Sequence, residues 1–140
     1  MLIESDLFIA YLKSEDWLKP YAEKILKAIE NGKLQNIQTS TDVIHEIYYV
    51  FKDYAPPNII LGNLAKIATI PNITYIDPTR EIILSAVELT DLHKLTIFDA
   101  IYAATAHTNH VPDHTILSTD SAYDKIPGIE RIDPRQISLP

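Results

Sequence analysis

The stretch TILSTDSAYDKIPGIERIDP, residues 115–134, contains two short apolar runs that predict strands and, between them, two aspartates. The run TILST (115–119) predicts a buried strand that leads directly to Asp120, and IERID (129–133) predicts a last strand. Asp124 follows Asp120 by four residues, so their carboxylates share a face if a helical turn joins them. Alternatively, Asp120 only caps that turn.

The rest of the chain alternates between strand-like and helix-like segments. Strand-like runs lie at 1–5, 36–40, 73–77, 115–119 and 129–133. Apolar residues recur at helical spacing within 16–31, 40–54, 58–70, 80–94 and 96–108. This alternation predicts an α/β fold with a central, mainly parallel sheet of four or five strands covered on both faces. In such sheets the site lies beyond the carboxyl ends of the strands, which is where Asp120 is expected.

The composition limits the classes of function. The chain has 140 residues, no cysteine and a formal net charge of −7 at pH 7. This length predicts one domain over residues 1–140, and the absence of cysteine excludes disulfides and thiolate metal sites. No apolar stretch approaches the roughly 18 residues of a membrane span, and no signal peptide is recognisable, so we expect a cytoplasmic protein without a membrane partner. The acidic balance gives no general basic surface for nucleic acid, although a bound divalent cation would reverse the local sign.

The opening segment IESDLFIAYL (3–12) places Glu4 and Asp6 two residues apart, with no lysine or arginine between or beside them. On an extended strand, side chains two residues apart share a face, so the two carboxylates would converge on one point. Like charges at this range repel each other unless a cation or a proton intervenes. The alternative is a strand-to-helix turn in which Asp6 caps the following helix.

Two further acids lie inside predicted helices. Glu46 lies at the margin of the apolar stripe of helix 40–54, where an exposed glutamate would be ordinary. Asp99 follows Thr96 in a pattern typical of a capping box, which offers a purely structural role. However, the alanines that follow Asp99 predict close burial of this helix, and a buried acid needs a partner.

Acids from separate elements above a parallel sheet predict a cation site. The candidate catalytic residues are Glu4, Asp6, Glu46, Asp99, Asp120 and Asp124. Oxygen ligands without cysteine favour Mg²⁺ or Mn²⁺ over Zn²⁺. Such an ion activates water and binds phosphoryl oxygens, which suggests metal-dependent phosphodiester hydrolysis.

With its acids in this order, the chain resembles the PIN-domain family over nearly its whole length. The matching residues are Glu46, Asp99 in the helix FDAIYAATA (98–106), and Asp120 and Asp124 in LSTDSAYDKIPGIERIDP (117–134). Tyr123 stands where phenylalanine is usual in the family. The resemblance implies a three-layer α/β/α sandwich and an Mg²⁺- or Mn²⁺-dependent endoribonuclease that cleaves RNA. It also implies metal binding by Glu4, Asp6, Asp99, Asp120 and Asp124.

Within this family, small single-domain members are similar to VapC-type toxins, which implies a small antitoxin protein as partner and a homodimer. The opening motif departs from the family pattern because Glu4 stands at the usual first aspartate, with Asp6 at a variable polar position. Either residue therefore remains a candidate for the principal ligand. This departure keeps open a catalytically weakened PIN-like module that binds protein or RNA. A phosphatase of another α/β family is disfavoured because its Asp-x-Asp-x-Thr opening is missing.

Several other residues have weaker signals. The candidates for contact with the RNA backbone are Lys13, Arg80, Lys94, Lys125 and Arg131. Trp17 and the eight tyrosines are interpreted as core or interface residues, since no aromatic run alternates with basic residues. A histidine-rich group outwardly resembles a zinc site, but Pro112 interrupts its spacing; its members are His107, His110, Asp113 and His114.

Overall fold

The computed structural model describes residues 1–140 and contains five strands, six α-helices and one 3₁₀ turn. The strands are β1 (Leu2–Ile3), β2 (Ile37–Ser40), β3 (Ile73–Ile76), β4 (Thr115–Leu117) and β5 (Glu130–Ile132). The helices are α1 (Ser5–Leu12), α2 (Lys19–Glu30), α3 (Val43–Phe51), α4 (Pro57–Ala68), α5 (Arg80–His93) and α6 (Ile97–Ala106). The 3₁₀ turn is Ser121–Lys125. These elements confirm the predicted α/β class.

All five strands are parallel and their order in the sheet is β3-β2-β1-β4-β5. The chain moves from β1 outward to β3 and then crosses back to β4 on the other side of β1. Because crossovers between parallel strands are right-handed, this reversal places α1–α4 on one face and α5–α6 on the other. The predicted three-layer sandwich is therefore confirmed. The reversal also opens a crevice between the carboxyl ends of β1 and β4.

The sheet centre and α6 form the densest part of the core. Leu2 and Ile3 pair with Ile116 and Leu117, and all four side chains are fully buried. Every residue from Ala100 to Ala106 is buried, which explains the alanines, since small side chains let this helix approach the sheet and α5 closely. Thr96 starts α6 by accepting the Asp99 amide, and the capping role predicted for Thr96 is confirmed. No helix is long and apolar enough to cross a bilayer.

The first strand is shorter than the sequence predicts. β1 ends at Ile3, Glu4 occupies the N-cap position of α1, and Asp6 lies in the first helical turn. The extended-strand interpretation of Glu4 and Asp6 is therefore wrong, and the alternative strand-to-helix turn is confirmed, with Glu4 and not Asp6 at the N-cap. Because a helix follows the two-residue strand at once, the turn between them is what brings both acids to the edge of the sheet.

Replacing Ala103 with leucine should destabilise the fold by about 1–3 kcal/mol, because its side chain has no exposed surface and α6 has no room for added methylenes. Urea denaturation measures this change. Ala65→Leu on the exposed side of α4 is the matched control and should change stability by less than about 0.5 kcal/mol. Equal stabilities for the two variants would contradict the close packing of α6.

Candidate active site

Five of the six predicted acids line one pocket at the carboxyl edge of the sheet. They come from the end of β1, the start of α1, α3, the start of α6 and the end of β4: respectively Glu4, Asp6, Glu46, Asp99 and Asp120. The convergence expected from the strand ends is thus present, and it extends to two helices that approach from opposite faces of the sheet.

Glu4, Glu46 and Asp99 form the tightest group within this pocket. One carboxylate oxygen from each lies within 4.8 Å of the other two. Glu4 is buried, whereas Glu46 and Asp99 are half-buried. Glu46 was not predicted to be a metal ligand, yet its oxygen belongs to this group while those of Asp6 and Asp120 do not.

Glu4 and Asp6 are held by hydroxyl and amide donors from both ends of the chain. Ser5 and Ser118 donate from their Oγ atoms to the two oxygens of Glu4, at 2.6 Å and 3.0 Å. The amide and hydroxyl of Thr119 donate to Asp6 Oδ2 at 2.7 Å and 2.8 Å. The other Asp6 oxygen, Oδ1, is buried without a hydrogen-bond partner. The β1 and β4 ends are therefore joined through these two acids.

Two buried tyrosines donate hydrogen bonds to the other members of the tight group. The hydroxyl of Tyr102 donates to Glu46 Oε2, and that of Tyr123 donates to Asp99 Oδ1 at 3.4 Å. Burial raises the pKa of Tyr102 and of Tyr123 above the ordinary tyrosine value, so both hydroxyls keep their protons as donors. Tyr123, which replaces the phenylalanine usual in the family pattern, thus contributes a polar contact to the site.

The negative charges of these five acids are not neutralised by positively charged side chains nearby. Burial raises the pKa of Glu4 well above its ordinary value, and the Asp6 charge raises it further. Burial also raises the pKa values of Asp6, Glu46 and Asp99. No lysine or arginine nitrogen lies within 4.0 Å of any of the five carboxylates. The pocket is therefore a region of concentrated negative potential.

Asp124 lies outside the pocket, unlike the other five predicted residues. Arg131 donates from Nε and Nη2 to its two oxygens at 2.7 Å and 3.1 Å, which lowers the pKa of Asp124. The segment after Asp120 is a 3₁₀ turn with three residues per turn, so residues four apart do not share a face as they would in an α-helix. Arg131 also donates to the Ser118 carbonyl at 3.1 Å, so this ion pair supports the end of β4.

Asp120 combines the two roles that its sequence position allows. Its Oδ1 accepts the Ala122 amide at 2.8 Å, so the predicted cap of the turn is confirmed. The same residue lines the pocket, and its charge adds to the raised pKa of Asp99, which is due mainly to burial and is partly offset by the Thr96 hydrogen bond. Asp120 therefore both caps the 3₁₀ turn and belongs to the acidic pocket.

The histidine-rich group does not converge on a metal site. His107 and His114 donate to the main-chain carbonyls of Pro127 and Ala106, at 2.9 Å and 2.8 Å. Asp113 instead pairs with the N-terminal amine at 3.0 Å. The grouped metal-ligating oxygens lie at the sheet edge instead.

The donors that hold the acids, chiefly Ser5, Ser118 and Tyr102, were not predicted from the sequence. Ser118 precedes Asp120 at a strand end, and Tyr102 lies three residues after Asp99, or about one helical turn, in the same helix. Those positions were visible in the sequence. The partners of Ser118 and Tyr102 lie 114 and 56 residues away along the chain, which local spacing does not reveal.

The donor set fits a hard divalent cation. Mg²⁺ and Mn²⁺ prefer carboxylate oxygens as ligands. The oxygens of Glu4, Glu46 and Asp99 lie within 4.8 Å of one another, close enough for all three to contact one such ion. The unpartnered Asp6 Oδ1 adds a further buried acceptor at the same pocket.

The fold and the site define an α/β protein with an acidic pocket, suited to a cation, at the switch point of a parallel sheet. A comparison with family models is more specific, because the PIN domain model matches residues 1–129. The chain belongs to the PIN-domain family. No curated protein matches it significantly by sequence.

Solved structures from several bacteria share the fold. A chain of a toxin–antitoxin complex from Klebsiella pneumoniae is 20% identical, with 97% of this chain and 98% of that chain covered and a TM-score of 0.65. VapC20 of Mycobacterium tuberculosis, described as a sarcin-ricin loop cleaving toxin, is 14% identical over 88% and 92%, with a TM-score of 0.71. VapBC2 of Rickettsia felis, bound to a DNA fragment from its promoter, is 15% identical over 94% and 98%, with a TM-score of 0.65. At these identities the likeness is one of fold.

Removing charge at Asp99 should stabilise the metal-free protein, whereas removing it at Asp124 should destabilise it. Asp99→Asn eliminates a carboxylate whose pKa is raised by burial, so its charged form opposes folding near neutral pH. Asp124→Asn removes a carboxylate whose pKa is lowered by Arg131, so its charged form favours folding. Urea midpoints in the presence of a chelator measure both variants.

The pH dependence provides the control for this pair. The gain from Asp99→Asn should disappear as the pH falls and Asp99 takes up its proton, because the raised pKa costs stability only above that point. The loss from Asp124→Asn should shrink as the pH falls toward the lowered pKa of Asp124. Shifts of the same sign for both variants at neutral pH would contradict this assignment of charges.

Proposed function

We propose that this protein is a metal-dependent endoribonuclease that hydrolyses phosphodiester bonds in RNA. The observation that carries the proposal is the convergence of Glu4, Glu46 and Asp99 within 4.8 Å, with no cationic side chain within 4.0 Å. Membership of the PIN-domain family supports nuclease chemistry in general. We further propose that residues 1–140 act as one domain and work in the cytoplasm, where RNA substrates are abundant.

Glu4, Glu46 and Asp99 would hold the ion, which we propose to be Mg²⁺ or Mn²⁺. When bound, such an ion lowers the pKa of water and stabilises charge on a phosphoryl oxygen. Asp120 uses Oδ1 to accept the Ala122 amide, which leaves Oδ2 as the atom that would take a proton from the attacking water. Tyr102 and Tyr123 hold Glu46 and Asp99 in place, so the ligand geometry is set before substrate arrives.

We propose that Glu4, rather than Asp6, fills the position of the usual first aspartate. Glu4 reaches the tight group and is fixed by the hydroxyls of Ser5 and Ser118, whereas the shorter Asp6 is engaged by Thr119. The added methylene of glutamate is therefore accommodated by a turn at the N-cap of α1. In this arrangement Asp6 links the ends of β1 and β4 through its bonds to Thr119, and its Oδ1, which has no hydrogen-bond partner, remains available to the pocket.

An antitoxin protein is the partner that the structural neighbours suggest. Two of the similar structures are described as a toxin–antitoxin complex and as VapBC2. A groove between the α1–α2 loop, α3 and the start of α4 offers exposed aromatic surface to such a partner through Tyr49 and Tyr54. Lys13 lines both this groove and the acidic pocket, so a protein bound in the groove would lie beside the site.

A second copy of the chain is the partner proposed for α5. Ile83, Leu84 and Val87 are exposed by 37%, 66% and 56%, and their spacing places them on adjoining positions of the helix surface. Exposed apolar side chains in such a group are typical of an interface. We propose that this face forms the contact of a homodimer.

Asp99→Asn and Asp120→Asn should each reduce Mn²⁺-dependent RNA cleavage by at least about 100-fold, in line with the loss of an essential ligand or proton acceptor. Cleavage of single-stranded RNA followed on a gel measures the effect. Asp124→Asn is the matched control, since Asp124 lies outside the pocket, and should retain most activity.

Wild-type cleavage that persists in both variants would refute the proposed chemistry. Mn²⁺ should also raise the melting temperature of the wild type, and it should raise that of Asp99→Asn much less. RNA binding without cleavage under any divalent metal, and without a metal-induced shift in melting temperature, would instead support a binding module with a weakened site.

Leu84→Asp together with Val87→Asp should convert the dimer to a monomer, because two buried charges would face each other across the contact. Sedimentation velocity at micromolar concentration measures the change in mass. Leu61→Asp on α4, where Leu61 is 68% exposed, is the control and should leave the dimer intact. A wild type that sediments as a monomer would contradict the proposed interface.

A further inference from the structure

The loop between α1 and α2 places an exposed tryptophan beside the acids. Trp17 lines the same pocket as the five predicted acids, and it is the only tryptophan of the chain. Its side chain is 61% exposed, although tryptophan is usually largely buried in folded proteins. Of the two sequence-based interpretations of Trp17, core or interface, its exposure excludes the core and leaves the interface as a prediction.

Several contacts hold the loop and the indole ring in position. The Arg135 guanidinium lies 5.4 Å from the centre of the ring, and Asp133 fixes Arg135 through bonds of 2.9 Å and 2.6 Å. Within the loop, Asp16 Oδ1 accepts the Leu18 amide at 2.9 Å. An exposed aromatic ring that is held in this way loses little conformational entropy when a ligand stacks on it.

The surroundings of Trp17 are polar and charged. Of the twelve residues that line the pocket, three are hydrophobic, namely Ile9, Trp17 and Leu18. Lys13 also lines the pocket and adds a positive charge, although Asp16 lies 3.4 Å from its Nζ. A flat aromatic surface beside a cation and a set of metal-ligating acids matches a nucleotide, which presents a stacking base and a phosphate together.

We propose that Trp17 is a stacking platform for an unpaired RNA base next to the phosphodiester that is cleaved. This inference rests on the proposed ribonuclease function and deepens it, because it assigns a residue that would position a base of the substrate beside the acids. A base is free to stack on a side chain only when it is not already stacked and paired within a duplex. Trp17 is thus a substrate-positioning residue, while the acids carry the chemistry.

A protein partner is the competing occupant of this surface. An apolar helix would meet mostly charged and polar groups in the Trp17 pocket, whereas the neighbouring groove offers it exposed aromatic side chains. The observations therefore favour RNA at Trp17.

The sole tryptophan makes the first test possible without altering Trp17. In the cleavage-blocked Asp99→Asn protein, titration with a single-stranded RNA oligonucleotide should quench the intrinsic fluorescence and shift its emission. The same sequence annealed to its complement should quench it much less at equal concentration. Equal quenching by single strand and duplex, or no change with either, would overturn the proposal.

Steady-state kinetics provide the second test. Trp17→Leu should raise KM for single-stranded RNA by roughly 5- to 100-fold, the range expected when one base–aromatic stack is lost, with kcat changed less than about threefold. Trp17→Phe should restore most of the affinity because it keeps a ring. Tyr48→Leu, which removes an exposed aromatic residue outside this pocket, is the matched control and should leave KM unchanged.

The outcomes separate this inference from the proposed function. An unchanged KM in Trp17→Leu, with cleavage intact, would overturn the stacking platform and leave the ribonuclease standing. Quenching by single-stranded RNA without cleavage by the wild type would uphold stacking at Trp17 and refute the proposed chemistry. Loss of binding to a co-expressed protein partner in Trp17→Leu, with KM unchanged, would assign the surface to that partner and contradict the proposal.

Discussion

Burial of carboxylates without a cationic side chain paired to them is the constraint on which this structure depends. Moving Glu4, Asp6, Glu46 and Asp99 out of water raises their pKa values, and each neighbouring negative charge makes ionisation of the others harder. Serine, threonine and tyrosine donors offset part of that cost but add no positive charge. The fold therefore holds its acids in a state that a divalent cation would relieve.

The topology of the sheet explains how so few elements produce this arrangement. β1 and β4 are neighbours at the point where the strand order reverses, and both end after very short runs. Each of these strands leads into a helical turn, so Glu4 and Asp120 occupy N-cap positions at adjacent strand ends. Glu46 and Asp99 enter from helices on opposite faces of the sheet. The pocket is thus assembled from two strand ends and two helices, each contributed by a different part of the chain.

Sequence patterns predicted most of the fold because apolar spacing over many residues separates helix from strand clearly. The parallel sheet, the helix from Arg80 and the alanine-rich helix around Asp99 are all as predicted, with ends displaced by a few residues. The errors lie where one or two residues decide the geometry. Glu4 is on a turn and not on a strand, and Asp124 lies in a 3₁₀ turn and meets Arg131 instead of the pocket. The sequence left Trp17 as core or interface, and only the structure excludes the core, because its exposure depends on a loop that has no periodicity.

The N-cap of α1 shows how the site and the stability of the fold compete. Serine, threonine, aspartate or asparagine at this position would bond the first free amides of the helix, which is worth about 1 kcal/mol. Glu4 makes no such bond, because its carboxylate turns away to Ser5, Ser118 and the tight group of acids. The helix therefore begins without its customary side-chain cap. Three other helices, α2, α3 and α4, also begin without a side-chain cap, so what distinguishes Glu4 is where its carboxylate goes: to Ser5, Ser118 and the tight group, which is an argument that this acid serves the pocket.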